Sequence, residues 1–255
     1  YILSRFADTK ERGKANIFWR DSVQELHRHS KDEDQQFFQA WLRSQYAVTI
    51  RQSKVGSSNE DFEKIGTRFH SWVRENLEKM ELTANQPEGF QTLIYTEMKY
   101  YLRFYLEILD AREEEKPGLE HVHYIEQWGI ANSLGMPLML APLKSTDSDE
   151  VARKKINAVA RYIETYSVRR SVNYRRFGAS SIRYTMYSMV KELRGLGLEE
   201  LRVTLKNKLS EMEEDWDGMN KFGLTGQNRK FVKFLLARIT AFIEQKAQDT
   251  TSFST

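Results

Sequence analysis

The chain has 255 residues, 40% of them apolar, enough for one large core or two small ones. It contains no cysteine, which excludes disulfides, thiolate metal sites and cysteine nucleophiles, and no apolar run approaches the roughly 18 to 20 residues of a membrane span. Its 39 basic and 36 acidic residues leave a net charge of +3, and four prolines and 13 glycines are too few for a turn-rich all-β protein.

In chain order, the start "YILSRFADTKERGK" has no signal-peptide layout. It also lacks an initiator methionine, so the expectation is a piece of a longer protein. "NIFWRDSVQELHRH" predicts a helix with Phe18, Val23 and Leu26 near one face. "DEDQQFFQAWLRSQYAVTI" predicts a second, carrying Phe37, Trp41, Tyr46 and Val48. Its β-branched end continues the helical pattern and makes no convincing strand. Gly56 breaks the chain, and Ser58 or Asn59 is placed to cap a helix with Phe62, Ile65, Phe69, Trp72 and Leu77. Pro87 suits a first helical turn, and the helix it starts carries Phe90, Ile94, Met98, Tyr101, Tyr105 and Leu109 on one stripe, ending before Pro117 and Gly118.

"IANSLGMPLMLAPLKS" is apolar nearly throughout and is expected to be buried on all sides. A helix over 149–167 follows, with Ala152, Ile156, Val159, Ile163 and Tyr166 inward and Arg153, Lys154 and Arg161 off that stripe. "ASSIRYTMYSMVKELRG" places Ile182, Met186, Met189, Val190 and Leu193 on one face, with Ser180 or Ser181 as cap. "LEELRVTLKNKL" is a further helix. "NRKFVKFLLARITAFIEQK" is the last, with Phe231, Leu235, Ile239 and Phe242 as its apolar set. The reading is all-α, an irregular multi-helix bundle of about nine to eleven helices. It divides into N-terminal helices (1–55), a main helical domain (56–246) and a frayed tail (247–255).

Chemistry is sparse. His27 and His29, and His121 and His123, form H-x-H pairs, but residues two apart on a helix do not share a face, so neither makes a metal clamp. No Walker loop, dinucleotide fingerprint or nucleophile elbow occurs. "GLTGQNRK" at 223–230 lacks a preceding strand and reads as an interhelical turn. The acid runs at 113–115 and 211–215 read as solvated helix ends, without an apolar wall to raise a pKa. No cofactor site and no complete active site emerge.

The charge distribution is more informative. Between residues 161 and 183, Arg161, Arg169, Arg170, Arg175, Arg176 and Arg183 stand against Glu164, six minus one, or +5. The rest of the chain holds 33 basic and 35 acidic residues, net −2. Guanidinium groups bind phosphate bidentately, so this segment is the candidate nucleic-acid surface, with Tyr162, Tyr166 and Tyr174 nearby as donors or stacking rings. Three other roles compete. Arg169 and Arg170 complement a helix C-terminus. Arg175 and Arg176 pair with acids on a neighbouring helix. One of Arg169 and Arg170 anchors the helix end through a carboxylate while the other is exposed.

The order "PLMLAPL", "RYIETYSVRRSV", "SSIRYTMYSMVKEL", preceded by "YILSRF…IFWRDSVQEL…FFQAWLRSQY…FEKIGTRFHSWVREN", resembles the helical middle of GmrSD-like modification-dependent (type IV) restriction endonucleases and related anti-phage nucleases of bacteria. The spacing of Tyr166, Arg169 and Arg170 carries most of that resemblance. It implies a cytoplasmic phage-defence protein in which a ParB-like nucleotide-hydrolysing domain precedes this region and an HNH-type nuclease follows. The D-G-Q-Q-R motif of the first and the E-H-I-x-P of the second are both missing from this sequence. "LEHVHY" has an E-H pair but no following proline. The expected role is therefore a DNA-engaging linker, not catalytic alone, with duplex DNA and the flanking domains as partners and self-association as a further expectation. The alternative is a helical interaction or dimerisation scaffold that does not touch nucleic acid.

Overall fold

Apolar residues recur at helical spacing along nearly the whole chain, and the computed structural model folds accordingly, with no strand among the described residues. The structure describes residues 1–6, 8–52, 56–83, 86–126, 132–175 and 179–249. The helices are α1 (Thr9–Leu26), α2 (Glu33–Gln45), α3 (Asp61–Glu75), α4 (Pro87–Thr92), α5 (Lys99–Glu113), α6 (Glu120–Glu126), α7 (Asn132–Leu140), α8 (Asp149–Val172), α9 (Ala179–Leu193), α10 (Leu198–Ser210) and α11 (Arg229–Asp249). A π-helical stretch, Leu93–Met98, joins α4 to α5 without a break. Those two form one rod and the described helices number ten, the all-α bundle the periodicity predicts.

α7 is the centre of the packing. It touches α2, α5, α8 and α9, and Leu134, Met136, Leu138, Met139 and Leu140 are all buried, as an all-round apolar sequence requires. The α4–α5 rod buries Phe90, Ile94, Met98, Tyr101, Tyr105 and Leu109, the whole predicted stripe. α2 lays its aromatics against it. Phe37 meets the Tyr105 ring edge-on at 5.3 Å, and Trp41 stacks on Tyr101 at 6.0 Å. Each such ring contributes roughly 1.5–3 kcal/mol by leaving water. One core runs from Phe6 to Leu205, so the helices before residue 55 and those after it share it.

Several buried polar groups in this core are paired. The Tyr105 hydroxyl donates to Glu33 at 2.5 Å, and Tyr101 to the Leu143 carbonyl at 2.9 Å. Lys155, 1% exposed, donates to the Pro142 carbonyl at 2.8 Å and to Asp147 at 2.7 Å. It ties the loop before α8 to the helix itself.

Several local expectations shift. α2 stops at Gln45 and does not run through Val48, which is 44% exposed. The Val48 and Thr49 N–H groups instead donate to Asp61 at 3.0 and 3.3 Å. Asp61 also accepts from Trp72 Nε1 at 2.9 Å and Lys79 Nζ at 2.8 Å. Burial alone would raise the Asp61 pKa, but Lys79 and Trp72 outweigh it and hold the carboxyl at about 2. α3 is preceded by Glu60, whose N–H donates to Glu63 at 3.3 Å, not by a Ser58 or Asn59 cap. α8 runs five residues past the expected end, to Val172, and α9 begins at Ala179, ahead of both serines proposed to cap it.

Candidate functional site

The extra turn of α8 decides what its arginines do. Arg169 and Arg170 lie inside the helix, adjacent and so about 100° apart around it. Arg169 reaches the C-terminus of α10, where it donates to the Leu209 carbonyl and, at 3.4 Å, to the Met212 carbonyl. Those oxygens belong to a helix end with no intrahelical donors left, so the guanidinium is a cap supplied by another helix. Arg170 pairs with Glu214 at 3.0 Å, the two side chains 18% and 13% exposed, and its guanidinium lies 5.6 Å from the Tyr166 ring centre. One of the two was expected to be exposed. Neither is, because the segment after α10 folds back over the end of α8 and covers both.

The same seam continues through uncharged groups. Asn173 donates its amide to the Asp215 carbonyl at 2.8 Å. The Tyr174 hydroxyl accepts from the Gly223 N–H at 3.2 Å, and its ring lies 5.4 Å from Phe222. Gly218 passes so close that a Cβ there would sit 2.8 Å from the Val172 carbonyl oxygen. Beneath, Val168, Val172 and Phe234 form a small second core, with Phe222 and Phe231 against it.

The other candidates divide. Arg175 is 62% exposed and stands 3.9 Å from the Glu214 carboxylate already held by Arg170. Arg161 on α8 and Arg183 on α9 are exposed. Arg176 lies outside the described residues. Arg183 acts electrostatically on Arg43 of α2. The groove beside Arg170 is a hollow of about 390 Å³ whose charged lining is Arg170 and Lys208 against Glu192, Glu211 and Glu214, two minus three, or −1. Lys208 is itself bound to Glu192 at 2.8 Å and Glu211 at 3.6 Å. The five described arginines of the segment do not form one positive surface.

Two further arginines, Arg43 buried and Arg194 half-buried, also serve the fold. Arg194 caps the C-terminus of α2, donating to the Ser44 carbonyl at 2.7 Å and the Ala47 carbonyl at 2.8 Å. Arg43 donates to the Phe62 carbonyl at 3.0 Å and lies 4.0 Å from the Phe62 ring centre. Burial, with Arg183 adding to it, lowers the Arg43 pKa to about 10 against the pull of Glu63. Arg43 fits only because residue 66 is glycine, where a Cβ would stand 2.0 Å from its guanidinium. The helical stripe conceals both, since arginine at a core-facing position reads as a pattern error until a carbonyl is found for it.

Glu164, the one acid in the arginine segment, is also structural. His121 Nδ1 lies 2.7 Å from it and Arg238 Nε 2.5 Å, and Arg238 also covers the Tyr124 ring at 3.5 Å. Burial works against ionisation, yet His121 and Arg238 hold this carboxyl below the ordinary range. The acids of 211–215 were expected to be solvated ends, and Glu214 departs from that as the partner of Arg170. No group of three or more His, Asp or Glu able to hold a metal occurs among the described residues. No described helix is long and apolar enough to cross a membrane.

Comparison with protein-family models, curated proteins and solved structures finds no match.

Proposed function

We propose that this chain is a helical interaction scaffold that self-associates through α11, the arginine seam serving within the protomer to seat that helix. One observation carries the reading. α11 turns Phe231, Phe234 and Arg238 toward α6 and α8, and leaves Leu236, Ile239, Phe242 and Ile243 between 46% and 59% exposed. Their spacing is that of one helical face. A contiguous apolar face left open to solvent marks an interaction surface.

The pattern is self-complementary. In an antiparallel pair centred on Ile239, Leu236 of one copy meets Phe242 of the other. Lys233 and Glu244 lie about 20° apart on the helical wheel, on the same flank of the face. An antiparallel two-fold arrangement brings such same-flank positions together, so Lys233 of each copy nears Glu244 of its partner. Sedimentation velocity over a concentration series tests this. A dimer is expected that Ile239→Glu with Phe242→Glu converts to monomer with unchanged helicity. A wild-type monomer at every concentration would exclude it.

A second reading rests on the exposure of Arg161, Arg175 and Arg183. It is weak, sequence-independent binding of duplex DNA, in keeping with the resemblance to restriction endonucleases. The parent protein would then carry nucleotide-hydrolysing and nuclease domains on either side, in the cytoplasm. Three phosphate contacts predict a log–log salt slope of about −3. Fluorescence anisotropy with duplex DNA separates the readings, since the scaffold needs no binding even at low salt.

A further inference from the structure

We propose that the hollow between the Leu3–Arg5 turn, α1, α2 and α3 binds a small amphipathic carboxylate, with a flat apolar body, one hydrogen-bond acceptor on that body and one anionic end. The proposal is independent of α11 and of the arginine seam.

The hollow measures about 500 Å³, within the roughly 300–1,000 Å³ that holds small organic ligands. Its wall is a run of stacked rings. Trp19 lies on Phe38 at 4.9 Å with 15° between planes, and Phe38 on Phe69 at 5.5 Å with 18°. Stacking turns these faces to one another and leaves mainly ring edges for a ligand, and aromatic edges favour the face of a planar ring. Met80 and Ile94 add to the apolar lining. α3 is locally unwound at Arg68, with φ −153° and ψ 53°, immediately before Phe69 and His70.

Two further observations fix the polar ends. Trp41, 3% exposed, also lines the hollow, and no described residue accepts a hydrogen bond from its buried Nε1–H. Buried donors in native proteins are nearly always satisfied, so this one calls for an acceptor that no described residue supplies. At the rim, Arg74 is the one described lining residue with a permanent charge, and no carboxylate lines the hollow among the described residues. Arg74 is exposed, forms no ion pair with a described residue, and donates to the His70 carbonyl at 3.5 Å. An unpaired guanidinium beside apolar walls suits a carboxylate, which it can bind through two parallel hydrogen bonds.

Titration calorimetry of the full chain tests this with three probes: 6-methoxy-2-naphthoate, 2-naphthoate and the neutral methyl ester of the first. Saturable binding of the methoxy acid at one per chain is expected. The ester should bind about tenfold more weakly, the cost of the lost charge contact. The probe without the methoxy oxygen should bind about fivefold more weakly, the worth of one hydrogen bond. Arg74→Gln should reduce the acid to the affinity of the ester and leave the ester unchanged. Trp41→Phe should erase the preference for the methoxy group. Arg74 is on the surface, so its variant remains decisive even if Trp41→Phe unfolds, which circular dichroism reports. No saturable binding at millimolar probe, or acid binding that Arg74→Gln leaves intact, would overturn the assignment.

Discussion

α8 and α11 are both long amphipathic helices of basic character, and the structure uses them in opposite ways. α8 is covered by α6, α7 and α10, and its whole apolar stripe, from Ala152 to Tyr166, is buried. α11 lies against the body at one edge. Phe234 is buried there, while Ile239 and Phe242, half of the apolar set its periodicity picks out, face outward. Ile239 follows Arg238, so turning Arg238 in toward Glu164 rotates Ile239 about 100° away. A periodic pattern shows that a helix has an apolar face. Whether that face is covered depends on the neighbours, and here an ion pair has more say than the stripe.

The contrast can be broken at several points. The largest effect is expected inside α8. Lys155→Ala removes the charged partner of Asp147, which keeps only the Lys144 N–H, and the donor to the Pro142 carbonyl, and should cost about 3–5 kcal/mol in urea unfolding. A loss below 1 kcal/mol would mean that α8 is no more firmly held than α11.

Arg238→Ala should cost less, about 1–3 kcal/mol, because Glu164 keeps His121. The loss should be local, with faster hydrogen exchange in α11 and little change in α5. Acid should act in the same place. The Glu164 carboxyl in the folded protein lies below its ordinary value, so the unfolded chain takes up the proton first as pH falls. Its contribution is complete above the ordinary carboxylate range and is lost as pH drops through the lowered value. Exchange in α11 should therefore rise in acid before exchange in α8 does. The reverse order would contradict the seat described for α11.

Arg170 and Glu214 should couple by about 1 kcal/mol in a double-mutant cycle, a half-buried pair falling between surface and core values. Zero coupling would mean that this pair does not hold the segment after α10 against α8. The smallest effect is expected at Phe242. Phe242→Ser should alter monomer stability by no more than about 0.5 kcal/mol at concentrations below self-association. A larger loss would show that the outer face of α11 is packed within the protomer.

Much of the fold was legible in the residues. The stripes of α5, α8 and α9 follow from period alone, because each of those faces meets a large core that accepts any well-shaped apolar set. Pro87 marks a helix start through its fixed φ, whereas α1 starts at Thr9, ahead of the apolar pattern that predicts it, with Asp8 as cap accepting the Glu11 N–H at 2.8 Å. The all-apolar run around Met136 announced a helix with no solvent face. The arginine segment was legible only as a concentration of charge. Its composition is the same whether the guanidinium groups meet phosphate, carboxylate or a helix end.

The sequence by itself determined an all-α chain, its main core stripes and the place where positive charge collects, since these depend on local periodicity and counting. Tertiary structure alone decided that Arg169 caps α10, that Arg170 takes Glu214, that Arg43 occupies the space left by Gly66, and that α11 shows its apolar face to solvent. The physical reason is the range of the interactions. Helix propensity and amphipathicity act within a few residues, whereas a guanidinium chooses among carbonyls and carboxylates that the fold delivers from as far as 150 residues away, as Arg194 does with Ser44.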